Sequence, residues 1–359
     1  MTSDPMTSDP VTSDPVTQDT LSDVLRFVRL RGAVFYYLNY GHDWAAEAPA
    51  SREIAEAVMP GAEHVMEYHV ITKGAGWAAI VGQPPVRLAA GDIVMFPHGD
   101  AHVMSSAPGM RPKRFGTEWV FATRNDPKPI PIVFHDTEEF SFGEVVPDAV
   151  TNVVCGFLGC DLRPFNPLIA TLPRLLHLPA CDGGNWIAPV LEQAVNASQN
   201  KRPGSEALLE RLSEMMFVDA VSRYLDTLPE SSSGWLAGLR DRHVGRALAL
   251  LHAEPSRDWT IEELAGEVAM SRSAFYERFL ELIGQPPMQY LTQWRMQLAA
   301  KLLREGRAPV ASIALEVGYD SEAAFSRAFK RITGKPPAAW RRACESESAS
   351  RAAARLPAR

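Results

Sequence analysis

The chain has 359 residues, 46% of them hydrophobic and 22% charged, a composition typical of a globular protein with two hydrophobic cores. It has no apolar run of about 18 residues, and its start is neither basic nor apolar, so we expect no membrane span and no secretory signal. Four cysteines are too few for a disulfide scaffold, and we expect a cytoplasmic protein. The net charge of −7 divides into −11 for residues 1–240 and +3 for residues 241–343, which indicates an acidic body joined to a mildly basic module.

Residues 1–20 form a five-residue repeat, MTSDP MTSDP VTSDP VTQDT. The repeat contains mainly small, polar and proline residues, and such a segment cannot bury enough apolar surface to fold. We expect a disordered tail that has no role of its own.

Residues 21–163 contain short apolar or alternating runs between clusters of glycine, proline and aspartate: AVFYYLNY, HVMEYHVIT, GWAAIVG, DIVMFPHG, EWVFAT and PIVFH. This pattern predicts an antiparallel β-sandwich or barrel. Residues 164–234 have helical spacing in NPLIATLPRLLHL, NWIAPVLEQAVNA and SEALLERLSEMMFVDAVSRYLDTL, and end in the linker-like PESSSG. We expect residues 235–343 to be helical throughout and residues 344–359 to be a disordered tail. The expected fold class is α+β.

The segment SEALLERLSEMMFVDAVSRYLDTL has a broad apolar face, formed by Leu208, Leu209, Leu212, Met215, Met216, Val218 and Val221. This face is wider than one small contact requires, which favours a homodimer. The alternative is that the whole face packs on the chain's own β-domain.

Helix boundary signals are strongest after residue 259. Thr260-Ile-Glu-Glu263 has the form of a capping box, in which each side chain satisfies a free backbone amide at a helix start. Ser271 is placed to cap the next helix, SRSAFYERFLELIG, and Gly284 is placed to end it. A short helix, a tight turn and a second capped helix form a helix-turn-helix pattern.

The same pattern recurs about 50 residues later. Phe275, Phe279, Gly284, Pro286 and Pro287 correspond to Phe325, Phe329, Gly334, Pro336 and Pro337. The second turn is one residue longer, and MQYLTQWRMQLAAKLLREG predicts a long helix between the units. Such a helix can hold two units about one DNA turn apart, so that both enter the major groove from one face.

These residues carry a resemblance to a known family. The segment from about residue 241 to residue 342 resembles the DNA-binding domain of the AraC/XylS transcriptional regulators, on SRSAFYERFLELIGQPPMQYLTQWRMQLAAKLL and IALEVGYDSEAAFSRAFKRITGKPPAAWRR. The resemblance implies recognition helices at 271–284 and 321–333, with double-stranded promoter DNA and RNA polymerase as partners. It also implies these DNA contacts: Arg272, Ser273, Tyr276, Glu277, Glu322, Ala323, Ser326, Arg327 and Lys330.

The chemistry of several of these side chains suits base contacts. Arg272 and Arg327 can pair with guanine edges or with phosphate, Glu277 can accept from cytosine, and Tyr276 can pack on a thymine methyl group. Glu322 and Ala323 suit DNA poorly, so we expect the second unit to read fewer bases. For each side chain, the alternative is an ordinary solvated face. Arg295, Arg331 and Lys335 are expected to meet the DNA backbone or to stabilise the fold.

The stretch GDIVMFPHGDAH places Gly91, Pro97, Gly99 and His102 in the spacing of the second cupin motif. The N-terminal half therefore resembles the cupin-type sensor domains that precede AraC-type modules. The resemblance implies a metal site, but the first motif departs from the pattern and reads Glu67-Tyr-His69, without the glutamate that usually follows.

Glu67 and His69 lie on one face of a strand and, with His102, predict a three-ligand site for zinc or another divalent ion. His64 and His98 are spare candidates. The alternative is that these histidines only form hydrogen bonds.

Cys155 and Cys160 are candidate redox residues. Five positions apart in a regular strand, they lie on opposite faces, which disfavours a disulfide between them. The alternative is that both are small buried hydrophobic residues.

The sequence thus predicts a sequence-specific DNA-binding transcriptional regulator, not an enzyme, that responds to an unknown small effector, a metal or a redox signal through its cupin domain. Two other functions stay open. One is a metal-dependent cupin enzyme with an accessory DNA-binding domain, and the other is a DNA-binding architectural protein whose barrel has no ligand.

Overall fold

The computed structural model describes residues 19–112, 116–143, 149–180, 186–229 and 231–354, with side chains up to residue 346. It has the expected α+β architecture, with a sheet-rich N-terminal domain followed by helices. The chain start up to residue 18 and Cys181 lie outside the described residues.

Eleven described strands form the N-terminal domain: β1 (Arg31–Tyr40), β2 (Ala45–Ala48), β3 (His64–Lys73), β4 (Ala75–Ile80), β5 (Val86–Ala89), β6 (Ile93–Phe96), β7 (His102–Ser105), β8 (Ile130–Phe134), β9 (Phe140–Phe142), β10 (Thr151–Cys160) and β11 (Leu176–Leu178). They divide into a seven-stranded sheet of order β11-β6-β3-β10-β1-β8-β9 and a four-stranded sheet of order β2-β7-β4-β5. The strand pairs are antiparallel except β1 with β8, which is parallel.

The described α-helices are α1 (Thr20–Phe27), α2 (Ser51–Val58), α3 (Glu118–Ala122), α4 (Ile187–Gln199), α5 (Ser205–Thr227), α6 (Trp235–Arg240), α7 (Arg242–Ala253), α8 (Ile261–Glu267), α9 (Arg272–Ile283), α10 (Pro287–Glu305), α11 (Val310–Glu316), α12 (Glu322–Thr333) and α13 (Pro337–Ala354). Within the described part of the chain, none of these helices combines the length and apolar character that crossing a bilayer requires.

The structure corrects four sequence expectations. EWVFAT forms helix α3 instead of a strand. In NPLIATLPRLLHL, only a 3-10 turn at Ile169–Thr171 is helical, and Leu176–Leu178 is the edge strand β11, paired with β6. The tail expected from residue 344 is helical up to Ala354. The N-terminal tail ends earlier than expected, because Asp19 caps α1 by accepting from the Ser22 amide at 3.0 Å.

The central strands of the larger sheet are buried on both faces, because α4 and α5 cover the side that points away from the smaller sheet. Helix α5 approaches β1 closely at Gly32, where a Cβ atom would lie 2.5 Å from the Cβ of Ser213. From β3 on the same face, the Tyr68 hydroxyl forms a 2.6 Å hydrogen bond with the Ser213 hydroxyl. These contacts fix α5 on the sheet.

One hydrophobic core runs from the N-terminal domain into the first helix-turn-helix unit, whereas the second unit has its own core. The joint lies on α10, where Trp294 packs edge-on against Phe27 of α1 at 4.9 Å and stacks on His252 at 3.8 Å. The Gln297 side chain accepts from the Phe165 amide at 3.1 Å. The first unit and the N-terminal domain are therefore packed against each other through a shared core.

The two helix-turn-helix turns share a backbone conformation. Ala269 has φ of 55° and Gly318 has φ of 85°, both in the left-handed region, and each follows the last residues of a helix. The amide of the next residue returns to the helix, with Met270 donating to Ala265 and Tyr319 to Ala314, each at 2.9 Å. The first turn thus places alanine where glycine is the favoured residue.

We expect Ala269→Gly to raise the free energy of unfolding by roughly 0.5–1 kcal/mol, because glycine adopts positive φ without a steric penalty. Gly318→Ala should lower it by at least as much, since the new Cβ atom would lie 2.8 Å from the Ser256 backbone. Urea unfolding of the full chain measures both. A destabilised Ala269→Gly protein would contradict this account of the turn.

Candidate DNA-binding surface and buried histidine cluster

The four helices of the two units begin and end largely at the residues that the sequence predicts. Thr260 and Glu263 form the capping box of α8. Ser271 caps α9 and Ser321 caps α12, each accepting from a backbone amide at 3.3 Å. Both α9 and α12 end at a glycine with positive φ. Helix α10, with 19 residues, spans roughly 28 Å between the units.

The helices bury their phenylalanines and turn their predicted DNA contacts outward. In α9 the fully buried side chains include Phe275 and Phe279, and in α12 they include Phe325 and Phe329. The exposed candidates are Arg272, Ser273, Tyr276, Glu277, Glu322, Ala323, Arg327 and Lys330, while Ser326 is half-buried. Sequence reasoning missed Leu280, which is 38% exposed one turn after Tyr276 and extends the apolar strip on α9.

Helices α9 and α12 differ in the partners of their basic side chains. Arg272 forms an ion pair with Glu262 at 2.9 Å, and Arg278 pairs with Asp241 and Glu281. On α12, Arg327, Lys330 and Arg331 are exposed, and no described carboxylate lies within ion-pair distance of them.

Of these two helices, α12 therefore carries the positive charge that no described carboxylate neutralises. Charge that no carboxylate neutralises is available to phosphate without first breaking an ion pair.

Arg295 on α10 stabilises the fold, one of the two roles expected for it. It donates to the Pro255 carbonyl at 2.6 Å and to the Arg257 carbonyl at 2.8 Å. Its guanidinium also lies 5.9 Å from the Tyr319 ring, in the turn of the second unit. Burial lowers the pKa of Arg295, consistent with an enclosed position between the two units.

A second candidate site lies between the two sheets. Glu67 and His69 point inward from β3, and His102 points inward from the start of β7. All three are buried, and one ligand atom from each lies within 4.8 Å of the others. Phe96 stacks on the His102 ring at 3.6 Å and helps to exclude water from the site.

The donor and the acceptor of each hydrogen bond in this cluster can be assigned, starting from His102. His102 Nδ1 lies 2.9 Å from the Asp100 carbonyl and must donate to it, so His102 Nε2 is an acceptor. His69 Nε2 lies 2.6 Å from that atom and therefore donates. His69 Nδ1 must then accept from the Cys155 thiol, also at 2.6 Å. Strand pairing places Cys155 directly beside His69.

Burial controls the protonation of the cluster. It lowers the pKa of His102 to about 4 and holds the pKa of His69 well below its ordinary value. It raises the pKa of Glu67 to about 8 and holds that of the Cys155 thiol well above its ordinary value. Near neutral pH, the apo cluster is therefore uncharged, because the low-dielectric surroundings disfavour every charged form.

The donor set suits a divalent ion. The Glu67 carboxylate has one buried oxygen, Oε2, without a hydrogen-bond partner, which a cation could use. Two nitrogens on one zinc ion lie about 3.3 Å apart, so the two rings would have to separate slightly from 2.6 Å. Holding the ion would also move the His69 proton to Nδ1, where the Cys155 sulfur would accept it.

His64 and His98, the spare candidates for the metal site, form hydrogen bonds outside the cluster. His64 bonds to the Pro97 carbonyl at 2.6 Å, and His98 bonds to the Leu172 carbonyl at 2.9 Å. Cys155 and Cys160 are free thiols on opposite faces of β10, each in a different hydrophobic core. The predicted opposite orientation is confirmed. Sequence reasoning missed the contact between Cys155 and His69, which are 86 positions apart.

The fold, a sheet-rich domain followed by two helix-turn-helix units, is that of a DNA-binding transcription regulator with an N-terminal cupin domain. The profile described as Cupin matches residues 19–226, and the profile described as Helix-turn-helix domain matches residues 264–343. The match thus includes α4 and all but the last residue of α5.

The chain belongs to the AraC-like transcription regulators. It is 34% identical over 332 residues to an AraC-like transcription regulator of Streptomyces lividans, covering 90% of this chain and 97% of that protein. It is 28% identical to the transcriptional regulator AlkR of Acinetobacter baylyi, covering 89% of this chain and 98% of AlkR. These relatives are regulators, which leaves the enzyme alternative without support.

Among solved structures, the DNA-binding domain of AdpA in complex with a target DNA is similar to the C-terminal part. The identity is 31%, with 30% of this chain and 96% of that chain covered, and the TM-score is 0.29.

Proposed function

We propose that the protein regulates transcription by reading an operator with α9 and α12, placed in successive major grooves by α10. The observation that carries the proposal is the pair of matching capped units with outward-facing polar side chains. In this division of labour, α9 reads bases through Arg272, Ser273, Tyr276 and Glu277. Helix α12 contributes Glu322, Ala323, Ser326, Arg327 and Lys330, and reads fewer bases.

The test is selection of duplexes from a random pool by the full chain, followed by titration at several salt concentrations. The full chain is needed because the core of the first unit is continuous with the cupin core. We expect a preferred operator and an affinity that falls steeply with salt. Equal affinity for selected and scrambled duplexes would favour the architectural alternative.

We further propose a homodimer formed through α5. Part of its apolar face packs inward, with Leu209, Leu212, Met216 and Val221 buried. Leu208, Met215 and Val218 stay 47%, 51% and 39% exposed, and Trp186, which lines the same surface as Met215 and Val218, is 42% exposed. A second copy of the same stripe would bury these residues across a two-fold axis. Sedimentation with and without DNA tests this oligomeric state.

The buried cluster is our proposed signal input. Glu67, His69 and His102 would hold a zinc-like divalent ion, whose positive charge would favour the ionised form of Glu67. A redox signal at Cys155 or Cys160 has less support, because burial keeps both thiols protonated and thiols react as thiolates. A protein that regulates promoters works in the cytoplasm with RNA polymerase as a partner. The structure does not identify an organic effector.

A further inference from the structure

A polar pocket of about 80 Å³ lies between the N-terminal domain and the second helix-turn-helix unit. None of its residues belongs to the buried histidine cluster or to the proposed base contacts. The charged side chains that line it are Arg29, Glu63, Asp161 and Arg163 from the N-terminal domain, and Arg304 and Lys335 from the C-terminal part. The function proposed above gives this pocket no role.

Two of these charged side chains neutralise each other. The Glu63 carboxylate accepts from Arg163 Nη2 at 2.7 Å through one oxygen. Through its other oxygen it accepts from the backbone amides of Leu162 and Arg163, each at 2.9 Å. Both oxygens of Glu63 therefore have partners, and Glu63 does not offset the other positive charges of the pocket.

The second carboxylate of the pocket, Asp161, is shared by two arginines. Its Oδ2 atom lies 3.3 Å from Arg304 Nη2 and 3.8 Å from Arg29 Nη1. Lys335 lies on the turn between α12 and α13, and no described carboxylate is within ion-pair distance of it. Arg29, Arg304 and Lys335 therefore exceed the charge of Asp161 by two, and an anion would offset this excess.

Two residues that line the pocket also have buried donors without acceptors. The Trp340 side chain is buried, and its Nε1 has no hydrogen-bond partner among the described residues. The same is true of Arg304 Nε. A buried N–H group without an acceptor is destabilising, and neither an indole nor a guanidinium can accept a hydrogen bond in return. The pocket therefore suits an occupant that accepts hydrogen bonds, and it does not suit a cation.

The volume of the pocket suits a small ion. One water molecule requires about 10–15 Å³ of such space, so 80 Å³ holds roughly five to eight groups of that size. A tetrahedral oxyanion consists of one central atom and four oxygens. Pockets for organic ligands of drug size typically have about 300–1,000 Å³. The size thus favours a single small oxyanion over an organic effector.

We propose that this pocket binds a free tetrahedral oxyanion, of the phosphate or sulfate class, held by Arg29, Arg304 and Lys335. Charge-assisted hydrogen bonds from arginine and lysine are the usual way in which proteins hold such ions. The bound ion connects the segment before β1 with the end of α10 and the turn between α12 and α13. It therefore stabilises the packing of the second unit on the N-terminal domain. The inference does not depend on the proposed reading of an operator.

The first experiment is a calorimetric titration of the full chain with inorganic phosphate, without DNA. A chelator keeps metal ions away from the histidine cluster, and sodium chloride holds the ionic strength at about 0.15 M. We expect saturable binding of one phosphate per chain, and sulfate should compete for the same site. The unfolding temperature should be higher in phosphate than in chloride at equal ionic strength, because the ion binds only the folded chain. Absence of saturable phosphate binding would overturn the inference.

The second experiment repeats the phosphate titration with variants of opposite expected effect. Lys335→Gln should weaken binding by roughly 5-fold or more, the effect of one unit charge at about 4 Å in water. Asp161→Asn should tighten binding by a similar factor, because it removes the carboxylate that shares the two arginines. The matched control is Lys201→Gln, at an exposed lysine outside the pocket, and it should bind phosphate like the unchanged protein. Equal affinity of the Lys335 and Lys201 variants would overturn the inference.

A third experiment distinguishes the sources of the oxyanion. Phenyl phosphate should bind more weakly than inorganic phosphate, because the pocket has no room for the ring. If phenyl phosphate bound more tightly, the site would hold the phosphate end of an organic ligand. If Lys335→Gln weakened binding to a DNA duplex but not to inorganic phosphate, Lys335 would contact the DNA backbone instead. Either of these results would overturn the inference.

Discussion

Arg272→Ala and Arg327→Ala are each expected to lower affinity for the selected operator by about 10- to 100-fold, which corresponds to 1–3 kcal/mol for a bidentate guanine contact. Both side chains are exposed near the start of a recognition helix. Titration against operators with single-base substitutions measures the effect. A base contact predicts that the variant loses discrimination at one position, while a loss that is uniform across all operators would reassign the arginine to phosphate.

The ion pair between Arg272 and Glu262 supplies a matched control. Arg272 must leave Glu262 to reach DNA, and an exposed pair of this kind is worth about 0–1 kcal/mol. Glu262→Gln should therefore tighten binding by up to a few-fold, and it should have no effect in the Arg272→Ala background. Glu322→Ala should change affinity little or raise it slightly, because it removes repulsion of phosphate.

The same titrations test how much each unit contributes to the salt dependence and to the base discrimination of DNA binding. Arg327, Lys330 and Arg331 have no described carboxylate partner within ion-pair distance, so the second unit should contribute more to salt dependence. The first unit, with Tyr276 and Glu277, should contribute more to base discrimination. If substitutions on α12 changed base preference more than those on α9, this division would be wrong.

The C-terminal module could be predicted from sequence in detail because its determinants are local. The caps at Thr260, Ser271 and Ser321 act within three residues, and the apolar spacing repeats along each helix. Because the pattern occurs twice, each unit supports the assignment of helices in the other. The short runs EWVFAT and NPLIATLPRLLHL were misassigned because a few apolar residues favour helix and strand about equally.

Contacts between distant segments could not be predicted. The sequence identified Glu67, His69 and His102, but strand register alone placed Cys155 beside His69. Nothing local indicated that Trp294 would pack against Phe27, 267 positions away. No local pattern indicated that the first unit would share a core with the cupin domain. A separated fragment would expose that shared surface to water.

Glu67→Gln is expected to stabilise the metal-free protein at pH 8 by several kcal/mol. Burial raises the pKa of Glu67 from 4.5 to about 8 in the folded chain. Above pH 4.5, the unfolded chain releases this proton while the folded chain keeps it, so stability falls as the pH rises towards 8. The full loss is on the order of 4 kcal/mol, and glutamine does not incur it.

Unfolding by urea at pH 5 and pH 8 in the presence of a chelator measures this effect, with the exposed Glu53→Gln as a matched control. At pH 5, Glu67→Gln and the unchanged protein should differ by less than about 1 kcal/mol, because this pH lies only slightly above the ordinary pKa of 4.5 in the unfolded chain and little of the loss has accumulated. Below pH 6.5, both proteins should lose stability, because His69 and His102 stay neutral when folded and gain protons when unfolded.

Zinc should reverse the alkaline loss in the unchanged protein, because a bound cation favours the ionised form of Glu67 that burial alone disfavours. At a free concentration of 100 times Kd, binding adds about 2.7 kcal/mol to the free energy of unfolding. Glu67→Gln should gain less, and His102→Ala should gain nothing, because one imidazole ligand is then missing. If zinc changed the free energy of unfolding of none of these proteins, the cluster would not bind zinc, and its side chains would only form hydrogen bonds. A Glu67→Gln protein that is no more stable than the unchanged protein at pH 8 would show that Glu67 is ionised and paired even without a metal.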